Sequence, residues 1–355
     1  MNCCRRTVRV HYAVQSGESI VLRTEANWDA DVVASRVSED GRTFEFDLEA
    51  ERPFLYFKAC LRAGDALTWM PGANRLVLLD VPGAADVHPY FRSSPDGTFE
   101  PPIVLPSKEL GRDVTLRVYL PPGYLEAERR RFPVVYMQDG QNLFFPEEAF
   151  LGHEWQVDET IAKLDSMSAV DPMIVVGILS GDRKDDYTKP GYERYAAAVV
   201  REVKPLVDAK FRTRDAPLDT AVMGSSLGGV VSFYMAWQYP EVFGYAACMS
   251  STFTFQDDLL QRVLSEPKRN TSFYLDSGWP EDNYEVTLAM EAALLSRGYE
   301  QGKDILHLVY PKGRHNERSW SARLHVPLQL WRGAAKAASM RERLAQAPPS
   351  ALKTS

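Results

Sequence analysis

The feature that most constrains the fold is a short glycine- and serine-rich joint between a strand pattern and a helix pattern. Residues 221–240 carry no charged side chain and contain the run GSSLG at 224–228, followed by Gly229. The letters TAVM before this run predict a buried strand, and VVSFYMAWQY after it predicts a helix. The run matches G-x-S-x-G, in which a serine stands on a strained turn that needs small neighbours two positions away. The joint therefore predicts a buried strand that turns directly into a helix, with Ser226 at the turn.

Two patterns divide the rest of the chain. Residues 1–90 contain short alternating or β-branched runs separated by turn signals, which predict a small all-β sandwich. Residues 91–107 are rich in proline, serine and glycine and are predicted to be a linker. Over residues 108–340 strand patterns alternate with helix patterns, which predicts an α/β fold with a mostly parallel sheet flanked by helices. The tail, residues 341–355, is predicted to be disordered.

Composition and charge exclude several classes of function. The 355 residues include 41 Lys and Arg and 48 Asp and Glu, a formal net charge of −7, so the chain lacks the basic character of a non-specific nucleic-acid binder. Its four cysteines show no C-x-x-C spacing, so we expect free thiols and no metal site. No apolar stretch follows the two arginines near the N-terminus, and the uncharged run at 221–240 contains three glycines and three serines. We therefore expect a soluble, cytoplasmic protein without a leader or a membrane span.

A serine needs a base before it can act as a nucleophile, and three histidines follow Ser226 in the chain. His307 lies inside a strand pattern and His325 inside the last helix pattern, so both are interpreted as structural. His315 lies in the loop PKGRHN just past the last strand, where a side chain can reach the serine turn. We predict that His315 is the base that accepts the proton of Ser226.

The carboxylate that orients such a base should follow the preceding strand, SFYLDSG. Asp282, in the loop after that strand, is the preferred candidate. Glu281 is the alternative, and Asp276 at the end of the strand is a third.

Acyl transfer also needs N–H donors for the negative charge that develops on the carbonyl oxygen of the substrate. One expected donor is the backbone N–H of Leu227, at the start of the helix. The other is the backbone N–H of Gln141, because Gly140 allows a tight turn after the strand FPVVY.

Three side chains near these motifs are candidates for substrate contact. Arg183 and Tyr187 follow the strand MIVVGIL, although a charged surface loop is an equal expectation there. Trp279 directly precedes the loop of Asp282. We expect no metal and no organic cofactor, and the sequence does not predict the oligomeric state.

Taken together, the motifs resemble the esterase D and enterochelin-esterase family of α/β-hydrolases. The resemblance covers about residues 108–335 and rests on RFPVVYMQDGQNLF, VMGSSLGG, YLDSGWPEDNY and PKGRHNERSW, in family order. It implies an α/β-hydrolase fold and ester hydrolysis through an acyl-enzyme, with Ser226, His315 and Asp282 as the triad. The family includes feruloyl, acetyl-xylan and siderophore esterases, S-formylglutathione hydrolases and mycolyltransferases, so the acyl and alcohol groups stay open. The extra Trp-Pro before Glu281 also leaves the aligned carboxylate open.

The N-terminal region is similar to starch-binding carbohydrate modules over roughly residues 6–85. This similarity rests on the run NWD at 27–29, the strand FLYFKACL and the run TWMPGANR at 68–75. Such modules stack exposed tryptophans on sugar rings, and Trp69 is a better candidate for that contact than Trp28. A sandwich that binds no glycan is the alternative.

The expected partner is thus a small-molecule or carbohydrate ester. Two other functions stay open: a glycan-binding protein with a vestigial hydrolase domain, and an acyltransferase that uses the same triad.

Overall fold

A computed structural model describes residues 4–333, and the tail at 341–355 therefore lies outside the described residues. The chain forms two compact units. The first comprises the chain through Thr98 together with Pro121–Arg130 and Ala162–Ala169. The second comprises Phe99–Leu120, Arg131–Ile161 and the chain from Val170 onward.

The strands of the described residues are numbered in chain order. They are β1 Cys4–His11, β2 Glu18–Thr24, β3 Asn27–Val33, β4 Arg36–Val37, β5 Thr43–Ala50, β6 Phe54–Ala63, β7 Ala66–Trp69, β8 Arg75–Leu78, β9 Ala85–Val87, β10 Thr98–Phe99, β11 Ile103–Ser107, β12 Arg112–Leu120, β13 Val134–Met137, β14 Ile174–Ile178, β15 Thr220–Ser225, β16 Tyr245–Met249, β17 Ser272–Trp279 and β18 Ile305–Pro311.

The α-helices of the same part of the chain are numbered likewise. They are α1 Val157–Ser166, α2 Arg183–Tyr187, α3 Gly191–Ala198, α4 Lys204–Lys210, α5 Leu227–Gln238, α6 Leu259–Ser265, α7 Tyr284–Ser296, α8 Glu317–Arg323 and α9 His325–Arg332. A π-helical segment, Val199–Val203, joins α3 to α4, and a short 3₁₀ turn, Gly140–Asn142, follows β13.

The first unit contains two sheets, as the alternating N-terminal runs predicted. One has the strand order β4-β5-β1-β9, and the other has the order β3-β2-β6-β7, with β8 also pairing with β6. Alternate residues of these strands point into a common apolar core, since successive side chains of a strand face opposite sides. Val8, Val10 and Phe46 enter it from the first sheet, and Leu22 and Phe57 from the second.

The second unit is built on one mostly parallel sheet with the order β10-β12-β14-β13-β15-β16-β17-β18, in which β11 pairs with β12. Strands β13 to β18 run parallel, and β12 runs antiparallel to β14. This confirms the predicted α/β class. Every residue of β14, β15 and β16 is buried. Because both faces of these strands are covered, their sequences are continuous apolar runs without alternation.

The sheet of the second unit begins earlier in the chain than the composition of residues 91–107 indicated. Residues 91–107, predicted to be a linker, contain β10 and β11, and β11 pairs with β12 from Ile103 to Ser107. This strand carries Pro106, and proline within sheets is largely confined to edge strands because it cannot donate to a neighbour. A short edge strand of this kind has the composition of a connecting segment.

The uncharged run at 221–240 is explained by burial in the protein. It forms β15 and α5, and every residue of α5 from Gly228 to Trp237 is buried. Among the helices within residues 4–333, none combines the length and the apolar character needed to cross a bilayer. The carboxyl ends of the parallel strands meet at one edge of the sheet, which is where α/β proteins place their ligands.

Candidate active site

Ser226 occupies a strained turn between β15 and α5. Its backbone has φ 56° and ψ −124°, a conformation that side-chain-bearing residues rarely adopt. Its small neighbours are required by packing. A Cβ on Gly224 would lie 2.5 Å from the carbonyl oxygen of Gly228, and one on Gly229 would lie 2.1 Å from Ser251 Oγ. The glycines of the motif thus allow the tight joint that presents Ser226 at the edge of the sheet.

The structure brings Ser226, His315 and Asp282 together from three separate loops. Ser226 Oγ lies 2.9 Å from His315 Nε2, and His315 Nδ1 lies 2.8 Å from Asp282 Oδ1. Both contacts are within hydrogen-bond distance. The Asp282 side chain is fully buried, whereas that of His315 is about one-third exposed. Glu281, the alternative carboxylate, is an exposed residue with φ 66°.

Asp282 accepts several hydrogen bonds besides the one from His315. Its Oδ2 accepts from the N–H of Gly278 at 2.7 Å and from the hydroxyl of Ser250 at 2.6 Å, and its Oδ1 accepts from the N–H of Asn283 at 2.9 Å. Burial raises the pKa of Asp282, but the hydrogen bonds from His315, Ser250, Gly278 and Asn283 outweigh burial and lower the pKa to about 2. The carboxylate is therefore ionised at neutral pH.

The charge of Asp282 determines which nitrogen of His315 carries a hydrogen. An ionised carboxylate can only accept hydrogen bonds, so His315 Nδ1 must be the donor. In the neutral ring Nε2 is then the acceptor, and it faces the hydroxyl of Ser226. This is the tautomer that a general base needs.

Asp276, the third carboxylate candidate, is buried and bonded elsewhere. Its two oxygens accept from Nε and Nη2 of Arg323, each at 2.9 Å, and Oδ2 also accepts from the hydroxyl of Tyr274 at 2.9 Å. Burial lowers the pKa of Arg323, but the carboxylate of Asp276 more than offsets this, so the guanidinium stays charged. Sequence reasoning did not identify this buried pair. No local signal marked it, because α8 is mostly polar and only its Trp320 and Arg323 are buried.

The two expected N–H donors lie in the first turn of α5 and in the 3₁₀ turn Gly140–Asn142. Leu227 is the first residue of α5, where backbone N–H groups lack partners within the helix and carry partial positive charge. Gln141 lies in the 3₁₀ turn after β13. Its side-chain amide donates to Ser180 Oγ at 2.9 Å and accepts from the Ser180 N–H at 3.1 Å. A Cβ on Gly140 would lie 2.6 Å from the carbonyl carbon of Gly177, so this turn is pressed against β14.

The side chains predicted to follow β14 have different environments. Arg183 is partly exposed, and its Nη2 donates to Asp139 Oδ2 at 3.0 Å. Asp139 is buried with φ 55°, and burial raises its pKa although Arg183 opposes the shift. Tyr187, by contrast, is 0 % exposed, and its hydroxyl accepts from the N–H of Asp139 at 3.3 Å. Tyr187 therefore supports the turn from the core, and the prediction that it contacts substrate is corrected.

Three tryptophans of the second unit lie in or near the loops of the candidate site. Trp279, at the end of β17, is 53 % exposed. Trp320 is buried, and its ring packs edge-on against that of His315 with centroids 5.1 Å apart. Trp155 packs against Trp320 at 5.8 Å. The exposed Trp279 is thus available to a ligand, whereas Trp155 and Trp320 pack beneath the histidine.

In the first unit, Trp69 is 40 % exposed and Trp28 is half-buried, with ring centroids 6.3 Å apart. Across residues 4–333 the structure contains no group of three or more His, Cys, Asp or Glu side chains arranged to hold a metal ion.

Comparison with known proteins identifies a matching family and similar sequences. The model of a family described as "Putative esterase" matches residues 107–329. The chain is 28 % identical over 186 residues to "Uncharacterized protein YjcH" of Bacillus subtilis, a stretch that covers 51 % of this chain and 73 % of YjcH. It is 25 % identical over 195 residues to an "Endo-1,4-beta-xylanase/feruloyl esterase" of Xylanibacter ruminicola, which covers 52 % of this chain and 25 % of that protein.

Solved structures share the fold. The enterobactin esterase FES from Shigella flexneri, determined in the presence of enterobactin, aligns with a TM-score of 0.57 at 16 % identity and covers 93 % of each chain. At this identity the likeness shows the fold alone.

Proposed function

Because this chain belongs to the esterase family and is therefore an ester hydrolase, we propose that Ser226 is its nucleophile, His315 its general base and Asp282 the carboxylate that orients the base. One observation carries the assignment. Ser226 Oγ, the His315 ring and Asp282 Oδ1 form a continuous hydrogen-bonded line with separations of 2.9 and 2.8 Å. The experiment that tests it, replacement of Ser226, is given in the Discussion.

The first half of the reaction forms an acyl-enzyme. His315 Nε2 takes the proton of Ser226 as Oγ attacks the ester carbonyl, and the ionised Asp282 stabilises the imidazolium that results. The imidazolium then returns this proton to the alcohol oxygen as its bond to the acyl carbon breaks. Ser226 is left esterified with the acyl group.

The second half releases the acid. His315 accepts a proton from a water molecule as the water oxygen attacks the acyl carbon, and it gives the proton to Ser226 Oγ when that bond breaks. The same base therefore serves both halves, so damage to its orientation slows both.

We propose that the backbone N–H groups of Leu227 and Gln141 donate hydrogen bonds to the oxyanion that develops on the substrate carbonyl. Support comes from the position of Leu227 at the first residue of α5, directly after the nucleophile. The side chain of Gln141 is tied to Ser180 by two hydrogen bonds, which fixes the backbone of its turn. Donors that are held in place before the reaction need no reorganisation in the transition state.

Gly140→Ala tests the second donor. The added Cβ would meet the Gly177 carbonyl carbon at 2.6 Å, so the turn must shift. We expect kcat to fall by about 10²-fold, the effect of losing or misplacing one oxyanion donor. Gly302→Ala is the control. Gly302 lies just before β18, away from the end of that strand that leads to His315. The substitution adds backbone strain at φ 77° without bringing the new Cβ near another atom, so this variant should keep wild-type kcat. Wild-type kcat in a folded Gly140→Ala protein would remove Gln141 from the assignment.

We propose small carboxylic esters as substrates, with an acyl or alcohol group that has an apolar face. Names among the relatives include a feruloyl esterase and an enterobactin esterase. In this chain the support is Trp279, which is 53 % exposed three residues before Asp282. A carbohydrate as the alcohol, a glycan contact at Trp69 and a cytoplasmic location stay predictions.

Trp279→Ala should raise KM selectively. An aromatic contact contributes about 0.5–1.5 kcal/mol beyond its buried area, so KM for an ester with an aromatic acyl group should rise roughly 2–10-fold. Esters with an acetyl group provide the internal control, and both their KM and kcat should stay near wild type. Steady-state kinetics on the two ester types measure this difference. Equal changes for both would show that Trp279 contacts neither acyl group.

The acyltransferase alternative shares every step up to the acyl-enzyme. It differs only in the acceptor, which would be an alcohol instead of water. Product analysis with an added alcohol separates the two, since a hydrolase releases mainly free acid and a transferase mainly the new ester.

A further inference from the structure

Ser250 is a fully buried serine that directly follows β16 and lies behind the proposed triad. Its backbone has φ 43°, in the left-handed region that favours glycine. Its Oγ is 2.6 Å from Asp282 Oδ2, 3.0 Å from Trp320 Nε1 and 2.6 Å from Arg323 Nη2. One hydroxyl group thus contacts three functional groups, one from the loop after β17 and two from α8.

The chemistry of these partners determines where the hydroxyl hydrogen points. The indole N–H of Trp320 and the guanidinium of Arg323 can only donate, so they occupy the two acceptor positions of Ser250 Oγ. The single hydrogen of the hydroxyl is then directed to Asp282 Oδ2. The direction of this hydrogen bond therefore follows from the chemistry of the three partners.

Arg323 is itself held rigidly. Its Nε and Nη2 each lie 2.9 Å from an oxygen of Asp276, a two-point contact that fixes the plane of the guanidinium. Asp276 Oδ1 also accepts from the backbone N–H of Ser250 at 3.1 Å. The ion pair therefore anchors both the backbone and the hydroxyl of Ser250.

This arrangement leaves Arg323 in a long ion pair with Asp282 but without a direct hydrogen bond to it. Arg323 Nη2 is 3.9 Å from Asp282 Oδ2, and Ser250 Oγ bridges the two groups at 2.6 Å from each. Without the hydroxyl, an approach of roughly 1 Å would let the guanidinium hydrogen-bond Oδ2 itself. Such a bond would compete with the orientation in which Asp282 Oδ1 faces His315.

We propose that Ser250 is a positioning residue of the esterase, whose hydroxyl, held by Trp320 and Arg323, fixes the carboxylate of Asp282 in the orientation that serves His315. This inference rests on the proposed triad. Ser250 touches no substrate and acts through Asp282, so its loss should slow the chemical step and leave substrate binding unchanged.

Two substitutions separate positioning from a merely structural role. Ser250→Ala and Ser250→Gly both remove the hydroxyl, but glycine also relieves the strain at φ 43°, so the glycine variant should unfold at a higher temperature than the alanine variant. If Ser250 only stabilises the fold, activity should recover in the glycine variant. If it positions Asp282, both variants should be slow to the same degree.

We expect kcat to fall by about 10²-fold in both variants, the effect of a misplacement of about 1 Å, with KM within about two-fold of wild type. Ser250→Cys keeps a weak S–H donor and should lie between wild type and alanine. Ser251→Ala is the matched control, since Ser251 is adjacent, buried and, within the described residues, has a hydroxyl without a hydrogen-bond partner. It should retain wild-type kcat.

A spectroscopic readout reports the orientation directly. In protein labelled with ¹⁵N at histidine, the Nδ1–H of His315 that donates to Asp282 should give a downfield proton resonance in wild type. The resonance should move upfield or disappear in Ser250→Gly and stay in place in Ser251→Ala. Wild-type kcat with an unchanged resonance in Ser250→Gly, or kcat that follows thermal stability across the pair, would overturn the proposal.

Failure of this proposal is distinguishable from failure of the triad. If Ser226→Ala keeps its turnover, the triad is wrong and Ser250 has no catalytic carboxylate to position. If Ser226→Ala is inactive while Ser250→Gly and Ser250→Ala keep wild-type kcat, the triad stands and only the role of Ser250 is rejected.

Discussion

Ser226→Ala should lower kcat for p-nitrophenyl acetate and butyrate by at least about 10⁴-fold, because the alanine side chain cannot form the acyl-enzyme. The thermal unfolding midpoint should change little, since alanine keeps the strained backbone at φ 56° that the serine already has. Residual hydrolysis would come only from binding and the oxyanion donors. Initial rates over a range of enzyme concentrations measure the loss.

A fluorophosphonate label mapped by mass spectrometry identifies the reacting atom independently of turnover. Wild type should carry the label on Ser226, and Ser226→Ala should carry none. Ser225→Ala is the matched control, because Ser225 is the preceding residue, is buried in β15 and should leave both labelling and kcat intact. Equal turnover in wild type and Ser226→Ala would instead reject Ser226 as the nucleophile.

Asp282→Asn should have the second-largest effect, again about 10⁴-fold in kcat. An asparagine amide can donate to His315 Nδ1, which favours the tautomer with the hydrogen on Nε2. In that tautomer Nε2 cannot accept the proton of Ser226. Since the pKa of Asp282 is about 2, the wild-type carboxylate stays ionised above about pH 4, and its own titration contributes no loss of activity there.

Glu281→Gln is the control for that substitution. It makes the same chemical change one residue earlier, at an exposed side chain, and should keep wild-type kcat. Kinetics of both variants at neutral pH decide between the two carboxylates that the sequence left open. A large loss in Glu281→Gln with little in Asp282→Asn would reverse the assignment.

The principal side chains of the candidate site could be found from the sequence because parallel strands end at a common edge. Ser226, Asp282 and His315 each follow a recognisable strand pattern, so their approach to one another follows from the fold class. The glycines around Ser226 gave a further local signal, because a tight strand-to-helix turn needs small neighbours. Tyr187 also follows a strand, but its side chain turns into the core, and strand order alone does not fix the direction of a side chain.

The contacts behind Asp282 could not be predicted in the same way. Ser250 follows one strand, Asp276 lies within the next, and Arg323 comes from a helix 47 residues beyond Asp276. Nothing local in the sequence pairs a buried arginine with one particular aspartate, because such a pair is satisfied only by tertiary packing. The edge strand at Ile103–Ser107 was missed for a different reason, since its proline gives it the composition of a loop.

The order of strands β15, β16, β17 and β18 has a consequence for how this protein can evolve. Ser226 and Ser250 follow β15 and β16, while Asp282 and His315 lie in the loops after β17 and β18. The paired strands fix where these loops start, whereas segments such as residues 143–156, after β13, contribute none of the four. Insertions in surface loops are tolerated far better than changes in a sheet. Descendants of this chain could thus acquire new ester preferences through those segments while inheriting the same reaction unchanged.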